Sequence, residues 1–348
     1  MSTTSKMAPW FLCAGIAIAV TSCDKDDNVY IPPPSDGKST TLNGGTGGSN
    51  AAHSVFLDLS TDLQDSVKRV SWDLGFYTGS DFRVVINNTT AATAKAINKT
   101  DLSQVNAADT AGFADALALG QGAGTFSIID DVEGDLSKTV IAAVSATESD
   151  NKVYILKPSN GMVAAARDWY KIRIIRNGAN YKLQYARLSE TSVKTIDITK
   201  DASYNFKYIS LETNGAVNVE PANANWDIEW TLTTYKANAT TPYPYSDYVY
   251  INHLAGVTAA EVLTTTATFE AYAEANIAST TFVSNKVVIG GNWRNTQPPA
   301  PVGVKTDRFY VVKDAAGNVY KLRFLSFHAS DGGLRGYPKV EYKLVKKA

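Results

Sequence analysis

The chain repeats itself, and that repetition is what most limits its fold. Asp168 to Leu183 (DWYKIRIIRNGANYKL) aligns without a gap on Asp307 to Leu322 (DRFYVVKDAAGNVYKL). The leading aspartate, the turn glycines Gly178 and Gly317, and the closing Tyr-Lys-Leu fall at the same offsets. Upstream, Trp72-Asp73-Leu74-Gly75-Phe76 answers Trp226-Asp227-Ile228-Glu229-Trp230. The interval from tryptophan to the later aspartate is 168 − 72 = 96 residues in the first copy and 307 − 226 = 81 in the second. Internal similarity of this length implies two copies of one unit, so a single fold argument covers both.

The first residues read as an address. Lys6 gives a weak positive start, and Trp10 to Val20 is an apolar run too short for the ~20 residues that span a bilayer. Val20-Thr21-Ser22-Cys23 then reads as a lipobox, with Cys23 the lipidation site and residues 1–22 the signal peptide. A multi-chain lipid at ~0.8 kcal/mol per buried CH₂ holds a protein on a membrane without a spanning helix. Asp24-Lys25-Asp26-Asp27 resembles the surface-export signal of Bacteroidetes lipoproteins. Residues 23–52 are rich in Pro, Gly, Ser, Thr and Asn, so a flexible tether is expected there. Two β domains are expected to follow, over 53–200 and 201–348.

Short β-branched and aromatic runs bounded by turn residues dominate both copies, for example Val55–Leu59, Phe82–Ile86, Val153–Leu156, Val287–Ile289 and Phe309–Val312. Asn177-Gly178 is a strong hairpin signal, because both positions accept positive φ. Asp314 to Asn318 marks the matching turn, and Tyr320–Phe327 should pair with Val340–Val345. The fold class is therefore all-β, with one short helix per repeat. Thr258 and Glu261 have capping-box spacing, which predicts a helix over 258–275 answered at Thr93-Ala94; Asp109 to Leu119 reads as a second helix.

Composition excludes several functions. Cys13 lies in the signal and Cys23 carries lipid, so the mature chain has no cysteine chemistry. A net charge of −1 with no basic cluster argues against nucleic acid. There is no Gly-x-Ser-x-Gly elbow and no phosphate-binding loop; Gly120-Gln121-Gly122-Ala123-Gly124 lacks the dinucleotide spacing. His53, His253 and His328 are too scattered for a local metal motif, so no catalytic or metal-binding set is expected and the chain is not read as an enzyme. Asp73 and Asp227 could act chemically, but their presence in both copies fits a structural hydrogen-bonding role better.

The repeated motifs resemble the HmuY family of Bacteroidetes. The likeness is carried by Trp226–Trp230, Ser246–Gly256 (SDYVYINHLAG), Asp307–Phe324 and Arg335–Tyr342 (RGYPKVEY). It covers most of the second copy, and in the first copy the Trp-Asp element and the last hairpin. The resemblance implies an all-β lipoprotein, anchored in the outer membrane at the cell surface, that captures haem and delivers it to a TonB-dependent receptor. It also implies axial ligands to the iron. The founding member's histidine position falls on Gly290–Arg294 and on Tyr154 to about Met162, neither of which holds histidine. The candidates left are His253, which matches Asn88 of the first copy, Met162, and the tyrosines Tyr272 and Tyr154, since tyrosine also ligates haem iron. Trp293, Tyr248 and Tyr250 are candidate pocket walls, against the alternative of strand packing. The second reading on the same fold is a non-haem surface binding lipoprotein for a glycan or peptide, accessory to such a receptor.

Overall fold

The computed structural model describes residues 1–2, 32–120 and 122–348; the signal peptide, Cys23 and the acidic run after it lie outside the described residues. The body from Pro34 onward is one compact unit built almost wholly of antiparallel strands. Each copy contributes a five-stranded sheet. The first runs Lys194–Ile198, Asn180–Arg187, Tyr170–Asn177, Val153–Lys157, Thr93–Ile97, and the second runs Ser39–Thr41, Lys339–Lys346, Val319–Ser326, Arg308–Lys313, Thr258–Leu263. The expected Asn-Gly turn closes the first of these hairpins, where Asn177 pairs with Asn180, and Asp314 closes its counterpart by accepting from the Gly317 and Asn318 amides.

The second sheet of each copy is shared. Leu74–Tyr77, on the first copy's Trp-Asp element, pairs with Phe206–Ser210, which leads the second copy. Reciprocally, Ile228–Lys236 pairs with His53–Leu57 from the start of the first copy. The two leading hairpins, 53–68 and 206–217, are thus exchanged. Period-two side-chain alternation carries the exchange into the cores. Val55, Leu57 and Leu59 are fully buried in the second copy's core beside Trp230 and Tyr310, while Ile209 and Leu211 are buried in the first copy's core beside Leu74 and Phe76. At ~1.5–3 kcal/mol per buried aliphatic side chain, the first three alone contribute an amount comparable to the whole stability of a typical domain.

The repeated aspartates fasten this exchange. Asp73 Oδ2 accepts from the Leu211 amide and Asp227 Oδ2 from the Leu59 amide, each at 2.8 Å. Their own amides donate to Ile209 and Leu57. The structural reading of the Trp-Asp pair holds, with each aspartate capping the hairpin that the other copy lends.

Four expectations change. The helix expected over 258–275 is a strand, Thr258–Leu263, paired along its length with Arg308–Lys313, and only Glu274–Ile277 is helical. The threonines that interrupt this stretch are stiff at χ1 and suit a pleated surface, and pairing with the neighbouring strand outweighs a capping-box spacing. Likewise 109–119 contains only Phe113–Ala116 as α-helix, and Val287–Ile289 is no strand. Finally, the stretch expected to be tether joins the body from residue 34: Ser39–Thr41 pairs with Lys339–Glu341, and Leu42 is fully buried. Gly44 lies so close to Trp230 that a Cβ would stand 2.1 Å from its ring, so this glycine serves contact rather than slack.

Candidate functional site

The hairpin exchange brings the two repeated tryptophans into one cluster. Trp72 meets Tyr208 edge-on at 4.8 Å between ring centroids, and Trp226 meets Phe56 edge-on at 5.1 Å, so each tryptophan is packed by the other copy's hairpin. Such pairs prefer this geometry because the ring edge is positive and the face negative. Gly75 makes room for the Tyr208 ring, which would lie 3.1 Å from a Cβ there. The corresponding residue of the second copy is Glu229, opposite Phe56.

Against this cluster lies a cavity of about 110 Å³, walled by both copies, where Trp72, Trp226, Phe56, Tyr208 and Tyr250 supply aromatic surface. Its polar wall is unusual for an interior. Asp130, Glu220 and Glu229 stand on it with Lys286 and His253. Asp130 is held by the Ile86 and Val140 amides at 2.7 and 2.9 Å, and burial pushes its carboxyl up to about 7. Glu220 accepts from the Phe206 amide at 2.7 Å; burial pushes it up to about 8. Burial raises Glu229 too, although the Lys286 charge and the Ser54 and Thr231 hydroxyls work against the rise. Lys286 places its ammonium 4.0 Å from the centre of the Tyr250 ring, and burial lowers its pKa. No carboxylate among the described residues comes within ion-pair distance of Lys286. Asp130, Glu229 and Lys286 are half-buried by exposure; because they line the cavity, we take the surface they keep to face it and their charges to be desolvated.

His253 reaches this wall through the repeat. Asn252 donates to the Asn223 and Trp226 carbonyls as Asn87 donates to those of Arg69 and Trp72. Each asparagine precedes a short 3₁₀ turn, Asn88–Thr90 or His253–Ala255, which puts Asn88 and His253 at matching positions on the cavity. Burial, and then the nearby Lys286 charge, lowers the His253 pKa to about 4, so its ring is neutral at pH 7. Asn88 binds within the protein, donating to Thr233 Oγ1 at 2.7 Å and to the Tyr250 hydroxyl at 3.2 Å.

The other candidates are not gathered here. Tyr154 is in the first copy's core, its hydroxyl accepting from the Ala142 amide at 2.9 Å. Tyr272 is buried against Phe309, with its hydroxyl 2.6 Å from that of Thr280. Met162 is 39% exposed on a loop, where its carbonyl accepts from Asn50. Trp293 stacks on Phe324 at 4.0 Å in the second copy's core, and Tyr248 is 3% exposed within the tyrosine row of the 228–251 hairpin. Of the three pocket candidates Tyr250 alone lines the cavity. Among the described residues no three His, Cys, Asp or Glu side chains converge to hold a metal ion, and no helix is long and apolar enough to cross a membrane.

Sequence reasoning passed over Asp130, Glu220 and Lys286, which stand in no motif. Trp72, Trp226 and Glu229 did carry a signal. The tryptophans recur in both copies, and a glutamate replaces glycine inside a strand pattern.

The family model described as HmuY protein matches residues 50–186 and again 202–342. A solved structure of apo PinO from Porphyromonas gingivitis aligns over 90% of this chain and 100% of its own, at 12% identity and a TM-score of 0.24, too slight a likeness to argue from. No curated protein matches.

Proposed function

This chain belongs to the HmuY family, and on that premise we propose that it is a lipid-anchored surface protein that captures a small ligand between its two copies and hands it to a TonB-dependent outer-membrane receptor. The family is one of binding proteins of the haem-binding type, so the chain is read as non-catalytic. The anchoring and the surface location rest on Cys23 and the residues around it. The observation that carries the capture reading is the inter-copy cavity, whose aromatic wall comes from both copies and on which Asp130, Glu220, Glu229 and Lys286 stand without close ion pairs among the described residues. Concave sites with apolar walls and a few convergent polar groups are where proteins hold small molecules.

Haem, the ligand the family implies, fits these residues only in part. His253 suits it, being neutral and on the cavity wall, and it is the observation that favours haem as a second reading. Met162, Tyr154 and Tyr272 lie elsewhere and supply no second ligand beside it. The wall is also wrong in charge. Five acidic residues, Asp130, Asp131, Asp135, Glu220 and Glu229, line it with one lysine, Lys286, and a haem brings two more carboxylates as propionates. A haem titration followed by absorbance, on the soluble chain that starts after Cys23, separates the readings. A saturable, sharpened Soret band that His253→Ala abolishes and Met162→Ala leaves intact establishes haem capture. A flat titration of folded protein leaves the small non-haem ligand.

A further inference from the structure

We infer that the inter-copy cavity is a binding site for a small organic cation, an alkylated or quaternary ammonium seated against the Trp72, Trp226 and Tyr208 rings and balanced by Glu220 and Glu229. This rests on the cavity being the ligand site, as proposed above, and is independent of haem.

The charge balance of the wall points to it. Five acidic residues, Asp130, Asp131, Asp135, Glu220 and Glu229, line the cavity with one lysine, Lys286, while His253 is neutral; of the five, Asp135 is paired with Lys138 at 2.9 Å. Lys286 already rests on the Tyr250 face at 4.0 Å, which shows that this wall accommodates an ammonium on an aromatic ring. The remaining aromatic surface, from Trp72, Trp226, Phe56 and Tyr208, has no such partner among the described residues. The Lys207 ammonium, the nearest basic neighbour in sequence, sits instead over Tyr204 and pairs with Asp201.

The shape excludes a bare metal ion. No three acidic or histidine side chains among the described residues come together closely enough to coordinate one. Carboxylates spread around a cavity of about 110 Å³ fit a body with apolar bulk and diffuse positive charge. Trp226 adds a directional cue: it is 7% exposed, lines the cavity, and its indole N–H has no acceptor among the described residues. A guest that carries a hydroxyl or carbonyl supplies one.

Entry of a cation favours the ionised carboxylates, so protons leave as it binds and affinity rises with pH up to about 8, where Glu220 titrates. On the loop beside Asp130, Asp131 also lines the cavity, while Asp135 is paired with Lys138 and Glu133 with Lys236. Between pH 6 and 8, therefore, affinity gains with pH while His253, with a pKa of about 4, contributes no change.

The test is a calorimetric titration of the soluble chain with choline at pH 6 and pH 8, with 3,3-dimethylbutanol as the uncharged probe of the same shape. The expected result is saturable choline binding, tighter at pH 8, with no comparable binding of the alcohol. Glu229→Gln and Glu220→Gln should each weaken choline by about tenfold, and Lys286→Met should strengthen it. Thermal melts identify any variant that fails to fold, and the pH dependence and the neutral probe test the site on unmodified protein. Equal binding of choline and the alcohol, or no choline binding at pH 8, overturns the inference. If choline fails and haem binds in a His253-dependent way, the cation is wrong and ligand capture stands; if both fail on folded protein, both are wrong.

Discussion

The two repeated aspartates occupy the same place in the fold and should respond unequally to one substitution. Asp73 is 1% exposed at its side chain and meets Arg167 at 2.6 Å, while also accepting from the Leu211 amide. Replacing it by asparagine keeps the amide acceptor and strands the guanidinium. Breaking a buried pair by removing one partner costs ~3–5 kcal/mol. Arg167 retains 19% side-chain exposure and a second carboxylate, Glu212, at 3.5 Å, which sets the cost near the lower figure, about 3 kcal/mol. Among the described residues Asp227 has no such partner: Thr306 stands where the first copy has Arg167. Burial, together with the charges of Asp58 and Asp314, pushes its carboxyl well above the ordinary range, which favours the neutral acid. Asparagine is close in shape to a neutral carboxylic acid and still accepts from the Leu59 amide, so Asp227→Asn should cost about 1 kcal/mol or less. Urea unfolding of both variants at pH 7 measures the difference. Equal costs, or a larger cost for Asp227→Asn, would refute the reading that the ion pair with Arg167 sets Asp73 apart from its counterpart.

Stability should fall as pH rises from about 4.5 to 8. Glu220 is raised from 4.5 to about 8, so the folded chain holds a proton that the unfolded chain releases in that window; its contribution is complete below 4.5 and is lost as pH climbs. Glu220→Gln should flatten the decline in urea midpoint between pH 5 and pH 8, and an unchanged slope would show that its environment is misread. The hairpin exchange predicts that 34–200 and 201–348, expressed apart, do not fold alone but recover native near-UV dichroism when mixed. A stable, monomeric half with native dichroism would contradict it.

Much of this was readable in the chain because it rests on local chemistry. Gly178 and Asp314 mark their turns, and the correspondence of Asn88 with His253 is repeated in the hydrogen bonds of Asn87 and Asn252. The exchange was not readable, since Val55-Phe56-Leu57 and Tyr208-Ile209 carry the same alternation and would fit either copy's sheet. Only long-range packing decides between them. The helix expected from Thr258 failed for a related reason: a cap signal is local, while the strand at Arg308–Lys313 that claims the segment is remote. Asp130, Glu220 and Lys286 come from three distant segments and become a site only when the two copies close on each other.

The most direct test follows the indole N–H signals of the tryptophans by NMR, assigned by single Trp→Phe substitutions, as choline is added to the soluble chain at pH 8. Trp72 and Trp226 line the cavity, whereas Trp230 and Trp293 are buried in the second copy's core. The account predicts saturating shifts at Trp72 and Trp226 together, with Trp230 and Trp293 unmoved. Saturation that shifts only the core tryptophans, or that leaves Trp72 and Trp226 in place, would mean that the ligand does not seat between the copies.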